Sequence, residues 1–431
     1  MNEMTWRLGE KRTDIDEWVA RRAARRYGGE DASARLAWSA LGSSVYDDAT
    51  TVRSLLEAKP AFTSAAPRAH AAAVAGAWAE LAASELTPTG PYLYDLADVG
   101  RQALANAFDS AVSLFSDAFV RCVDWADTFS VKTGVDIVGD GTYYDAAPSP
   151  DCGLYYGLAA CNASALEAAC VASPGCAGFN TNGWLKRQAD QFVATDKTDA
   201  YVRDRGAAGG EACLPSLAAI AAGLDGLLSD LDRLLAATPM FLLGEWLADA
   251  AQWAGDAEEA ALYALNAKNQ ISLWGPNGEI NDYASKQWAG MVGDYHRARW
   301  ALFTDAALEA ARANASFDSA QFDADVLALG QSWYLSNATY SATPSGDDAV
   351  AVGRELLQKY ASADAGAGFE ATVDTSVAGD LSAMPGLPVG TLAWLCELEP
   401  ACAGFTDSGA LASQVVTTQP QSGVTLYAKL A

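Results

Sequence analysis

Basic side chains are scarce in this chain: 28 Lys and Arg stand against 54 Asp and Glu, a formal charge of −26. A field of that sign repels polyphosphates and anionic lipid, so neither nucleic acid nor an anionic membrane surface is expected as a partner. Histidine is scarcer still, with only His70 and His296. Paired Cys-x-x-Cys knuckles are also missing, so zinc has no donor set and no cofactor is expected. No apolar run reaches the length of a membrane span. The opening residues Met1–Arg7 lack the charged-then-apolar order of a signal peptide. There is no G-x-S-x-G elbow, phosphate-binding glycine loop, dinucleotide fingerprint or H-E-x-x-H helix. Acyl transfer, nucleotide chemistry and zinc hydrolysis therefore have no support.

What the chain does hold is apolar and helical. Of its 431 residues, 51% are hydrophobic and 19% charged, enough for one large core or two ordinary ones. Thr13 or Asp14 can cap a helix carrying Ile15, Trp18, Val19 and Ala23, closed by Gly28-Gly29. A second helix over Ala32–Ser43 carries Leu36, Ala40 and Leu41, and a third spans roughly Arg68–Leu86. A long fourth, from about Tyr92 to Cys122, repeats apolar residues at three and four and so buries one face. After Asp127, glycines and β-branched residues from Val131 to Tyr144 read as strand and turn. Helix returns at Pro215 and continues to about Tyr360.

A repeat marks two smaller units. Cys170-Val-Ala-Ser-Pro174-Gly-Cys176-Ala-Gly-Phe179 recurs as Cys396-Glu-Leu-Glu-Pro400-Ala-Cys402-Ala-Gly-Phe405. Tyr201-Val-Arg203 follows Phe179 at the distance at which Tyr427-Ala-Lys429 follows Phe405. The expected fold is mainly α, a helical bundle domain with two small disulfide-stapled α+β modules. The bundle takes residues 1–127 and 213–365, one module is inserted at 128–212, and a shorter one follows at 366–431. The units resemble the cysteine-stapled modules of the PAN/apple type, which bind carbohydrate or protein. Cys396 with Cys402 is the simplest bond in the second copy, and by the same logic Cys170 pairs with Cys176 and Cys152 with Cys161. Cys122 and Cys213 flank the insert, placed to staple its neck, although the sequence leaves other connectivities open. Clustered cysteines and the sequons at Asn162, Asn314 and Asn337 favour a secretory-pathway protein. With no leader at Met1, the chain then reads as the tail of a longer polypeptide.

The most telling stretch is Leu273 to Gln287. Its Gly-Pro-Asn-Gly turn cannot be helical, and Asp282 reads as the cap of a helix running through Trp288, Met291, Val292, Tyr295 and Leu302. Trp274, Ile280 and Tyr283 thus sit on a stiff loop at a helix entrance. Aromatic faces held that way suit the apolar face of a sugar, and they suit plugging a helix bundle too.

Several blocks in order resemble the α-N-acetylglucosaminidase family of glycoside hydrolases. They are Ala24-Arg25-Arg26-Tyr27-Gly28, Tyr94 through Gln102, Phe241 through Leu247, Leu273-Trp274-Gly275-Pro276, Asp282 through Gln287, and Phe322-Asp323 with Gly346-Asp347. Together they span most of residues 1–127 and 213–362, and the resemblance is to the C-terminal part of the family. It implies that residues 1–12 end a catalytic (β/α)₈ barrel whose two glutamates precede residue 1, with Glu3 structural. It also implies that Trp274, Ile280 and Tyr283 enclose a terminal N-acetylglucosamine. The expected partners are the missing barrel and a glycan ending in α-linked N-acetylglucosamine, such as a glycosaminoglycan. The expected location is lysosomal, vacuolar or extracellular. The chain alone is expected to be inactive, with no catalytic residue of its own. The other reading is a secreted carbohydrate-binding or adhesion protein that uses its two cysteine modules.

Overall fold

The computed structural model describes residues 14–48, 54–63, 70–123, 129–137, 213–275, 284–313, 315–377, 379, 381–415 and 418–430. Within the insert it describes 163, 166, 167, 170, 176–186, 189, 191–195 and 198–203. Cys152, Cys161, Asn162, Asn314, Ile280, Asp282 and Tyr283 lie outside the described residues.

Helices α1 (Ile15–Tyr27), α2 (Ala32–Gly42) and α3 (Ala71–Ala83) lead into α4 (Gly90–Cys122), which organises the rest. Asp14 and Asp31 cap the first two by accepting backbone N–H bonds from the next turn, and Gly28 closes α1 in the left-handed region. Thr89 caps α4, and Pro91 in its first turn occupies a position whose N–H would have no helical partner. The sequence suggested one buried face for α4. Instead its middle is buried all round, because alanines and serines lie between Leu104, Phe108, Leu114, Phe115 and Phe119 and let neighbouring helices approach on every side. Such a helix must be wrapped. The wrapping comes from α3, α5 (Leu214–Ala236), α8 (Arg297–Arg312), α10 (Ala349–Tyr360) and α11 (Val389–Leu398). Contrary to the sequence reading, α5 is long and apolar enough to cross a membrane by length and composition. Its Leu217, Leu224, Leu228, Leu231 and Leu235 are buried in the shared core, which accounts for that apolarity.

Two other expectations change. Ile15 and Leu36 were assigned to apolar faces but are 51% and 56% exposed. Leu41 of the expected face is buried, with Ala34 and Ala37 beside it. The helix expected to start at Asp282 begins at Met291, as one π-helical turn to His296 that continues into α8. Residues 285–288 are not helical, and Ala289, just before the helix, bridges to Leu242. The Ala289 N–H donates to the Phe241 carbonyl and the Leu243 N–H to the Ala289 carbonyl.

The cysteine units share one design. In the first, strands run β1-β6-β3-β4, from Phe129–Lys132, Ala200–Arg203, Gly178–Asn180 and Leu185–Lys186. A separate pair joins β2 (Val135–Ile137) to β5 (Phe192–Ala194). In the second the order is β7-β11-β9-β10-β8, from Phe369–Val377, Thr418–Lys429, Gly404–Thr406, Ala410–Ala412 and Ser382–Ala383. Disulfides join Cys170 to Cys176 and Cys396 to Cys402, each closing a six-residue separation, and Cys122 is bonded to Cys213 at the neck. Phe179 stacks on Tyr201 at 4.6 Å and Phe405 on Tyr427 at 4.9 Å. Arg203 donates to the Cys170 carbonyl where Lys429 donates to that of Cys396.

The units differ in what they pack on. Leu166, Cys170, Cys176, Phe179 and Leu185 form a small core of their own, whereas Trp394, Cys396, Phe405 and Leu411 belong to the main core. A polar clamp reinforces that second junction. Glu399 is fully buried, accepts from Arg121 at 2.5 Å and from Ser216, and Arg121 also donates to the Leu381 carbonyl at 2.8 Å. Arg121 keeps 30% of its side chain in solvent, so losing this charged hydrogen-bond partner costs about 2 kcal/mol. Glu399→Ala is expected to lose about that much stability in urea unfolding. A loss below about 0.5 kcal/mol, the size of an ordinary surface change, would contradict the clamp.

Asp109 on α4 holds the 3₁₀ turn Leu55–Glu57 against the core. Its Oδ1 accepts from Ser54 Oγ and from the Leu55 N–H, both at 2.9 Å. Burial pushes its pKa up to about 8, against the opposing pull of those bonds. Because the folded value lies above the unfolded one, this contribution to stability is complete below the ordinary carboxyl range. It is lost as pH rises through about 8. An amide oxygen can take both bonds, so Asp109→Asn is expected to flatten the fall in Tm between about pH 5 and pH 8. Scanning fluorimetry across that range checks it, and an unchanged slope would contradict it.

Candidate functional site

Three of the blocks of sequence that stood out are in contact with one another. Arg26 grips Asp95 through Nε at 2.6 Å and Nη2 at 2.9 Å, and the Tyr27 hydroxyl donates to the same carboxylate at 2.8 Å. Tyr94 stacks on Phe241 at 5.2 Å, with the Arg101 guanidinium 6.0 Å from the Phe241 ring. Burial and the Asp95 charge raise the Tyr27 pKa, so the phenol stays protonated and remains a donor. These contacts fix where the chain enters α6 (Leu243–Ala251).

From there the Gly-Glu-Trp segment builds a hairpin with α7 (Ala257–Ile271). Gly244 is required, because a Cβ there would lie 2.2 Å from the Ser341 carbonyl oxygen. Trp246 crosses to α7 and donates its indole N–H to the Ala267 carbonyl at 3.1 Å. Asp256 caps α7 through the Glu259 N–H, while Glu259 accepts from the Gly255 N–H at 2.7 Å and from the Tyr263 hydroxyl at 2.5 Å. Hydrogen bonding from Tyr263 holds the Glu259 carboxyl below its usual range.

Helix α7 ends at Ile271, and Asn269 turns its end into a platform. Its carbonyl accepts the Trp274 N–H at 2.8 Å, and its side-chain amide donates to the Gly275 carbonyl at 3.2 Å. Trp274 is thereby held at φ +48°, a left-handed conformation that costs a bulky residue on the order of 1 kcal/mol or more. Strain of this kind is kept only where surrounding bonds over-determine it. The chain is pinned again beyond the Pro276–Tyr283 stretch. Gln287 donates to Glu57 at 2.6 Å, and Gly290 and Gly293 donate to Asp232, both at 2.8 Å. Gly290 has φ +87°, and a Cβ on it would meet Tyr340 at 2.6 Å.

Between α6, α7 and Trp274 lies an open groove of about 760 Å³, lined by Trp246, Trp253, Tyr263, Asn266, Gln270 and Trp274, with Ala250, Ala267, Asn269 and Gly275. Among the described residues, none that lines it carries a carboxylate. Rings and carboxamides can stack on and hydrogen-bond to a neutral polyol, but they cannot supply the acid and nucleophile of glycoside hydrolysis. Trp274 is therefore at the groove, while Ile280 and Tyr283 fall outside the described residues. Asn337 is exposed just after α9 (Ser319–Leu335).

The sequence reading missed Trp253, Tyr263, Asn266 and Gln270. A signal was present: Tyr263, Asn266, Asn269 and Gln270 recur at helical three-and-four spacing, and 78%-exposed Trp253 belongs to neither helix's apolar face. Asn269→Ala is expected to free the Trp274 turn. The Trp274 indole resonance, assigned by its loss in Trp274→Phe, should shift and broaden, with about 1 kcal/mol of stability lost. An unchanged resonance would show that Asn269 does not set the platform.

A family model described as the alpha-N-acetylglucosaminidase (NAGLU) C-terminal domain matches residues 18–132 and 189–359. Human alpha-N-acetylglucosaminidase is 41% identical over 134 residues, 31% of this chain and 18% of the human protein. A family 89 glycoside hydrolase from Clostridium perfringens, solved with its substrate GlcNAc-alpha-1,4-galactose, aligns with a TM-score of 0.55 at 16% identity. The alignment covers 83% of this chain and 32% of that one. The same enzyme with 2-acetamido-1,2-dideoxynojirimycin gives 0.52 at 16% identity, over 82% and 32%. At such identity these structures speak to the fold, and this chain spans about a third of the solved relatives' length. With the family model matching well over half of its residues, the chain belongs to the alpha-N-acetylglucosaminidase C-terminal domain family.

Proposed function

We propose that this chain is the helical part of a glycoside hydrolase releasing terminal α-linked N-acetylglucosamine. In this reading it supplies a wall of the sugar pocket and buttresses a catalytic barrel that carries the two glutamates. The observation that carries the reading is Trp274, held in a strained conformation by Asn269 at the edge of a ring-and-amide groove whose described lining has no carboxylate. Trp274 would stack on the N-acetylglucosamine ring, with Ile280 and Tyr283 closing over it and excluding water. The relatives support the substrate class, since the clostridial enzyme was solved with a disaccharide ending in α-linked GlcNAc.

The rest of the organisation follows from this reading. Residues 1–127 and 213–365 form the bundle, 128–212 the inserted module and 366–431 the second. Exposed Ile15, Leu36 and Tyr46 offer apolar contact to the barrel. Disulfides and the exposed sequon Asn337 suit a lysosomal, vacuolar or extracellular location.

Assay of the isolated chain on an aryl α-N-acetylglucosaminide is the test. No turnover above buffer is expected. Robust hydrolysis that survives repurification would place the catalytic acids within these residues and overturn the reading.

A further inference from the structure

Residues 336–348 form a strap without helix or strand between α9 and α10. Apart from half-buried Ser336 and Tyr340, every residue in it is exposed. The strap nonetheless holds four parts of the bundle. The Ser336 carbonyl takes the buried Lys268 ammonium of α7. The Ser341 carbonyl presses on Gly244 at the start of α6, and the Tyr340 ring on Gly290 before the π-helical turn. Ser345 donates its N–H to the Ala236 carbonyl at the end of α5, 2.8 Å away.

Much of the strap's remaining order is local. Ser341 Oγ donates to the Thr343 carbonyl at 2.6 Å and accepts the Thr343 N–H at 3.1 Å. Ser345 Oγ donates to the Asp347 carboxylate at 2.8 Å. Hydroxyl turns of this kind shape the backbone but leave its peptide bonds open to solvent. Exposed segments of small and polar residues are where proteases nick folded chains. A cut here would loosen the contacts on α5, α6 and α7 together.

The strap also carries, near its start, the pattern Asn337-Ala338-Thr339, a carboxamide two residues before a hydroxyl with no proline between. That is the acceptor pattern for an N-linked glycan, a bulky and solubilising surface group. All three residues are exposed. Neither the Asn337 carboxamide nor the Thr339 hydroxyl is held by a hydrogen bond among the described residues. The folded chain can therefore carry a large group on Asn337 Nδ2 without breaking a contact.

We infer that Asn337 is a glycosylation site and that its glycan shields the strap from proteolysis. The inference rests on the secretory location proposed above. In the step, Asn337 Nδ2 bonds to the anomeric carbon of an oligosaccharide carried on a lipid diphosphate. The amide gives up one proton, the carbon–oxygen bond to the diphosphate breaks, and the lipid diphosphate leaves with the electron pair.

The test uses the full chain secreted from eukaryotic cells, with peptide mapping by mass spectrometry before and after peptide N-glycosidase. Asn337 is expected to carry glycan before treatment and to read as aspartate after it. Asn337→Gln and Thr339→Ala should lose the glycan, and Thr339→Ser should keep it. Under limited proteinase K, the glycosylated chain should stay intact across residues 336–348. Both Asn337→Gln and the enzymatically deglycosylated wild-type chain should be cut there, and the second needs no substitution that could disturb folding. A bare Asn337 in a chain whose cysteines are paired would overturn the inference. A glycan whose removal leaves the cleavage rate unchanged would overturn the shielding. Free thiols at Cys396 and Cys402 in the chain from its own cells would overturn the secretory location, and the inference with it.

Discussion

A helix buried on every side has to be enclosed, and α4 sets that constraint for the whole molecule. Its small residues let α3, α5, α8, α10 and α11 close around it, and three of its carboxylates each fix one neighbour. Asp95 receives α1 through Arg26 and Tyr27, Asp109 receives the 3₁₀ turn, and Asp117 accepts from Ser382 of the second cysteine unit at 2.7 Å. A buried carboxylate without such partners would cost several kcal/mol. These contacts therefore specify which segment sits where on the cylinder.

The groove inherits its rigidity from that enclosure. Phe241 is positioned by Tyr94 of α4, Leu242 bridges to Ala289, and Asp232 of α5 takes the N–H groups of Gly290 and Gly293. Burial raises the Asp232 pKa, opposed by those two bonds. Asp109 and Asp232 are both carboxyl groups displaced by burial, a common mark of catalysis. Here each is occupied in holding backbone, and neither lines the groove. The shifted groups in this chain serve architecture, and the groove is left to rings and carboxamides.

Much of this could be read in the residues. The cap at Asp14, the helical spacing on α5 and the doubled Cys-to-Phe pattern all follow from local rules, and the structure shows the disulfides paired as the repeat suggests, with a ring stack in each unit. What could not be read depends on contacts distant in sequence. Residues 285–288 read as helix, yet they are not helical, and the chain bridges from Ala289 to Leu242 before the helix begins. Leu36 has the chemistry of a core residue and lies on the open side of α2. The second unit shares its motif with the first, but packs into the main core because Glu399 reaches Arg121 and Ser216 on the bundle. Trp274 was legible as a loop aromatic. Its partners in the groove come from a hairpin whose closure depends on Gly244 meeting residue 341.

The central claim is that a rigid helical scaffold presents an aromatic and carboxamide surface to a sugar. A crystal structure of this chain with GlcNAc-α-1,4-galactose bound would test it most directly. The account expects the N-acetylglucosamine ring against the face of Trp274. A disaccharide seated on either cysteine unit, with the groove between α6 and α7 empty, would contradict it.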